Sequence, residues 1–182
     1  MAKYNCNNKG IEGTWWERQV SSFLVEHFNI IIEKATFNKD YKEGIDYYIP
    51  NIVPSLFNQK IMLTCNVKGQ KRIQQPNGPK LVDEMWIEIG HRDLGPAKGW
   101  IYKDGVDLIL QVIKDKIYAI KLLDLRDFSE THVSNKIVHS PFDALYTLYD
   151  REGDLISRIK IKDLPTNIYT IIQGPKMWAT LK

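Results

Sequence analysis

Lys60-Ile61-Met62-Leu63-Thr64-Cys65-Asn66-Val67-Lys68, followed at once by Gly69 and Gln70, is the stretch on which the fold turns. Its apolar and β-branched residues, stopped by a glycine, predict a strand. Side chains alternate along a strand, so Asn66 and Lys68 share one face while Cys65 and Val67 take the other, and Gln70 continues the polar row. A polar face on a strand in mid-domain is unusual unless it lines a cleft. Upstream, Asn29 to Glu33 and Gly44-Ile45-Asp46-Tyr47-Tyr48-Ile49-Pro50 read as two more strands joined by a polar connection, the second interrupted by the acid Asp46. Downstream, Gln70 to Lys80 is a basic loop with proline and glycine, and Met85-Trp86-Ile87-Glu88-Ile89 is a fourth strand with Glu88 on the face of Trp86.

Further out, Trp16, Val20, Phe23 and Leu24 recur at helical spacing between Gly13 and Phe28. Thr14 followed by Glu17 has the form of a capping box, with Gly10 and Gly13 as punctuation ahead of it. Asp107 to Ile113 and Ile117 to Ile120 flank Lys114-Asp115-Lys116 as a hairpin whose first strand is apolar enough to be buried on both faces. A loop from His91 to Gly99 ends in Trp100-Ile101-Tyr102, too aromatic for a free linker. Leu122 to Phe128 suggests a short helix, Ser129 to Pro141 a polar loop, and Ile156 to Ile161 a half-exposed strand. The order is that of an α/β domain. With 182 residues and no linker-like composition, one domain spanning 1–182 is expected.

Composition excludes several classes of function. Two cysteines, Cys6 and Cys65, give neither a disulfide framework nor a zinc ribbon. His27, His91, His132 and His139 are scattered without ligand spacing or a partner nucleophile, and no phosphate-binding glycine motif occurs. Neither a signal peptide nor a membrane span is expected, so a reducing cytoplasm, bacterial or that of a phage-infected host, is the anticipated compartment. A net charge of +3 permits a nucleic-acid partner without demanding one.

Asp46 at one strand end, oxygen donors on a neighbouring strand and a lysine two residues on would suit a divalent cation held against a phosphodiester. In this order the residues resemble the PD-(D/E)xK nuclease superfamily, with Asp46 in Gly-Ile-Asp-Tyr, Asn66-Val67-Lys68-Gly69-Gln70 at the (D/E)xK strand, and Glu17 on the preceding helix. Trp86-Ile87-Glu88-Ile89, then Gly99-Trp100-Ile101-Tyr102-Lys103, is similar to a branch of small phage and bacterial members. The likeness spans roughly positions 10 to 127. It implies a restriction-endonuclease-like mixed β-sheet flanked by helices, Mg²⁺ or Mn²⁺ dependence, DNA cleavage, and the homodimer by which many such nucleases cut both strands. It carries Asp46, Asn66, Glu17 and Glu88 as metal-site candidates, Lys68 as the catalytic lysine and Gln70 as an auxiliary residue.

Asn66 departs from the pattern, because the family places an acid there and an amide oxygen is a neutral, weaker ligand. Three accounts stay open: Glu17 or Glu88 supplies the missing charge, the asparagine replaces a natural acid, or the protein binds nucleic acid, or another protein, without cutting. Lys71, Arg72, Lys80, Arg92, Lys98 and Lys103, interleaved with Trp86, Trp100 and Tyr102, are candidates for phosphate contacts and base stacking, although Asp83, Glu84, Glu88 and Asp93 share the span.

Overall fold

Leu108–Ile113 is buried at every position, and that single fact dictates the architecture. A strand with no solvent-facing side must be covered twice, and here the two covers differ. The computed structural model describes residues 6–71, 82–93, 99–176 and 178. In chain order its regular elements are α1 (Cys6–Phe28), β1 (Glu33–Lys34), α2 (Phe37–Glu43), β2 (Tyr47–Pro50), β3 (Met62–Lys68), β4 (Glu84–His91), β5 (Leu108–Ile113), β6 (Lys116–Lys121), α3 (Leu122–His132), β7 (Ile137–Val138), β8 (Leu148–Arg151), β9 (Asp154–Lys160) and β10 (Tyr169–Gln173). Three short 3₁₀ turns lie at Trp100–Tyr102, Pro141–Asp143 and Ile161–Asp163. The mixed α/β class is as expected.

Six strands form one mixed sheet in the order β1-β2-β3-β5-β6-β10, with β3 and β5 parallel and every other neighbour antiparallel. One face of this sheet, bearing Leu63, Cys65, Val67, Leu108, Leu110 and Val112, packs on Trp16, Val20 and Leu24 of α1. The other face, bearing Ile109, Ile113 and Ile120, packs on Met85, Ile87 and Ile89 of β4 and on Leu155 and Ile159 of β9. So the helical flank is met on one side by α1. A second sheet, β4-β9-β8-β7, closes the other, with α3 packed beside it through Leu122, Leu125 and Phe128.

Several expectations change in the structure. α1 begins at Cys6, so Thr14 lies inside it and the Thr14/Glu17 pair is no capping box; Gly10 and Gly13 are accommodated within the helix. The polar connection before Asp46 is α2, which ends on Gly44 in the left-handed conformation (φ 71°) with its N–H bonded to the Asp40 carbonyl. The expected strand at Asn29–Glu33 shrinks to the two residues of β1. α3 runs on to His132, four residues past its expected end. β9 is buried at its five central positions rather than half-exposed, because its polar members have partners: Ser157 Oγ donates to the Ala144 carbonyl, and Arg158 reaches Glu84 at 3.2 Å and the Phe142 carbonyl. Among the described residues no helix is long and apolar enough to cross a membrane.

Gly69 shows how tightly the end of β3 is packed. A β-carbon there would lie 2.0 Å from a ring carbon of Trp16, itself only 4% exposed and in edge contact with Trp15 and Trp178. Gly69→Ala is therefore expected to destabilise the protein by about 1–3 kcal/mol through overpacking, read as a fall in urea midpoint at unchanged slope.

Candidate active site

Asp46 stands immediately ahead of β2, and Asn66 and Lys68 close β3 beside it. The β2–β3 ladder ends at the Tyr47–Cys65 pair, which leaves the Val67 N–H beyond it. Asp46 fills that gap: its Oδ2 accepts from Val67 N at 2.6 Å, while its own N–H donates to the Cys65 carbonyl at 2.9 Å. Asn66 donates from Nδ2 to the Gly44 carbonyl at the end of α2. Its Oδ1 is buried and accepts no hydrogen bond among the described residues, although the residue is only 8% exposed. An unsatisfied buried carbonyl oxygen costs on the order of 1–3 kcal/mol, which is tolerated where the atom serves a ligand.

The field at this corner is strongly perturbed. Burial pushes the Asp46 carboxyl up to about 7, against the Val67 hydrogen bond that favours the anion; Glu17 and Asp40 push it further and Lys68 opposes them. Burial lowers the Lys68 ammonium below the usual lysine value, with Asp46, Glu88, Glu17 and Asp40 pulling the other way. Glu88 is raised by burial and then by Asp154, while Lys68, Arg151 and Lys103 hold it down. Asp46, Asn66, Lys68 and Glu17 thus share one neighbourhood, with Glu88 on the far flank of Lys68. Glu17 also forms an ion pair with Lys34 of β1 at 3.6 Å, so its role in the helix is tertiary.

Other expected residues go elsewhere. Gln70 leaves the polar row: it is 8% exposed, its Nε2 donates to the Trp178 carbonyl at 3.1 Å and its Oε1 accepts from Lys114 N at 2.7 Å. It is a clasp between the end of β3, the β5–β6 turn and residue 178, with both ends of its amide used on backbone. Lys103 donates to the Lys42 carbonyl at 2.9 Å, pinning the C-terminal end of α2, where a cation is also favoured by the helix dipole. Arg92 is exposed and pairs with Asp150 at 2.7 Å. Lys71 is exposed; Arg72, Lys80 and Lys98 lie outside the described residues.

Two contributors were not singled out as site residues by the sequence, and a third, Trp100, was expected there only for base stacking. Asp40 acts on both Asp46 and Lys68 from α2, which had read only as polar connection. Gln111 is the parallel partner of Lys68 on β5, buried, with Nε2 on the Gly69 and Val112 carbonyls; a lone glutamine in an apolar strand was its only signal. Trp100 lies with its ring centroid 5.0 Å from Lys68 Nζ.

No group of three or more His, Cys, Asp or Glu side chains arranged to hold a metal occurs among the described residues. What is present is a carboxylate and a neutral, unpartnered amide oxygen. That set suits a Mg²⁺-like cation, which commonly keeps several waters and takes one or two protein carboxylates plus substrate phosphate oxygens, better than a metal needing a closed protein cage. Compared with family models, curated proteins and solved structures, the chain matches none.

The raised Asp46 gives a signed prediction. The folded state keeps this proton to about pH 7 and the unfolded chain to about 3.8, so the group's contribution is most favourable below pH 4 and is lost as pH rises toward 7. Asp46→Asn keeps an acceptor for Val67 N–H without the charge. Denaturation across pH 4 to 8 is expected to show the variant gaining on the native protein over that window, toward a difference of a few kcal/mol.

Proposed function

We propose that the protein is a metal-dependent nuclease that hydrolyses phosphodiester bonds in DNA, with Mg²⁺ or Mn²⁺ held by Asp46 and Asn66 Oδ1. The observation that carries this reading is the meeting of a buried carboxylate, an unpartnered oxygen and a half-buried lysine at the ends of two adjacent strands. When bound, the cation would polarise the phosphoryl group and lower the pKa of an attacking water. Asp46 then contributes the anionic ligand and Asn66 a neutral one. Lys68, whose ammonium has no hydrogen bond or ion pair among the described residues, offers its N–H groups to a phosphoryl oxygen or to the attacking water. Attack in line by the water, which gives up a proton to solvent, forms the new P–O bond as the bond to the departing sugar oxygen breaks, and that oxygen leaves with a proton from solvent. Of the two acids that could replace the charge missing at Asn66, Glu17 acts on both Asp46 and Lys68, whereas Glu88 acts on Lys68. This favours Glu17.

A second reading has its own support. The Asn66 Nδ2 to Gly44 carbonyl bond is one that a carboxylate cannot make, so the asparagine fits a site that has given up cutting and binds DNA, or another protein, through the same residues. Cleavage of linear, circular and branched DNA with Mg²⁺ or Mn²⁺ tests the two. The nuclease reading expects cutting by the native chain and a loss of about 100-fold or more in Asp46→Ala at retained fold. Cutting by Asn66→Asp alone means the site is right and this chain disabled. Cutting by neither overturns the reading, with salt-sensitive DNA affinity then marking a silent binding module and no affinity at low salt marking a protein-interaction factor.

A further inference from the structure

Lys68 ends β3 among acids that all pull on it, yet its ammonium pairs with none of them among the described residues. Its close neighbour is the face of Trp100, 5.0 Å away, within the range where a cation is held by an aromatic quadrupole. The turn that presents this ring is firmly built. Gly99 N–H donates to the Ile89 carbonyl, and a β-carbon on Gly99 would come within 2.0 Å of the Glu88 carbonyl oxygen, so the turn lies flush against β4. Ile101 is fully buried, and its carbonyl accepts from Arg126 Nε at 3.0 Å, while the Arg126 guanidinium lies 5.3 Å from the Tyr102 ring. The 3₁₀ turn is therefore anchored to β4 below and to α3 behind, with Trp100 aimed at the end of β3.

We propose that Trp100 is the positioning residue for Lys68: its ring face holds the ammonium clear of the surrounding carboxylates and presents it to an anionic oxygen of the substrate. An ammonium beside several acids would otherwise collapse into an ion pair and be blunted. An aromatic face attracts the cation without supplying a lone pair to occupy its donors, so the three N–H groups stay available. The substrate half of this inference rests on the nuclease reading; the placement of Lys68 does not.

The test separates the two. In protein labelled at lysine, the Hε protons of Lys68 are expected upfield of the other lysines by the indole ring current, with the assignment made by Lys68→Arg. Trp100→Leu is expected to abolish that shift while the methyl spectrum of the core stays in place, and Trp100→Phe to keep most of it. A native signal with no upfield shift, or a shift that persists in Trp100→Leu, overturns the proposal. Should Trp100→Leu not fold, Trp100→Phe against Trp100→Met gives the same contrast with less loss of volume. On DNA, Trp100→Leu is expected to lower kcat about tenfold with KM little changed, and Trp100→Phe to restore most of it. Unchanged kcat in a cutting Trp100→Leu protein overturns the catalytic half. The expected ring-current behaviour with cleavage by neither the native chain nor Asn66→Asp instead overturns the nuclease reading and upholds the pairing.

Discussion

The parallel pairing of β3 with β5 is the constraint from which the rest follows. Its register sets Cys65 against Leu108 and Lys68 against Gln111, so the polar end of β3 is held beside a strand that has no exposed side at all. Covering β5 on one face recruits α1, and covering it on the other recruits a second sheet whose strands come from both sides of β5 in the sequence. The candidate site lies at the end of β3, where Asp46 stands ahead of β2 and Trp100 lies over Lys68. Removing water from so many apolar residues around β5 is the main favourable term available, and it is large enough to carry polar atoms at the rim that would be unaffordable alone.

Those polar atoms are not independent. Asp46 closes the ladder by taking the Val67 N–H, Asn66 ties the end of α2 to β3, and Lys103 ties the same helix end to the turn after Tyr102. Backbone groups that regular pairing leaves open are completed by side chains of the candidate site. The fold and the candidate site therefore share atoms, since the carboxyl of Asp46 that completes the ladder is also the buried acid of the candidate site. Such local conflict with ordinary burial rules is characteristic of functional corners in proteins.

Much of this was legible in the sequence, for reasons that can be named. Alternation in β3 and β4 and the unbroken apolar run of β5 depend on neighbouring residues only, so strand existence and facing could be read directly. Asp46, Asn66 and Lys68 were legible by the same token, because two of them lie on one strand face and the third interrupts an apolar strand. What failed depended on partners distant in the chain. Gln70 looked like the next member of the polar row, but the indole of Trp16 occupies the space beside Gly69 and the strand ends there. Glu17 matched a capping pattern that is local, whereas its ion pair with Lys34 is not. The C-terminal third read only as packing because the burial of β9 is supplied by β4, up to 76 residues earlier, as in the Trp86 and Arg158 pairing, whose positions are 72 apart.

The Gln70 clasp has a consequence for the order in which the molecule comes into being. β3 and its neighbours are synthesised early, but the amide that steadies the end of β3 waits for the backbone of Trp178, and β4 waits for β9. A growing chain thus carries Asp46, Asn66 and Lys68 long before it can hold them in place. The end of β3 is steadied only once a residue 108 positions after Gln70 has been made, so a nascent fragment bears these side chains without the clasp that fixes the strand beneath them.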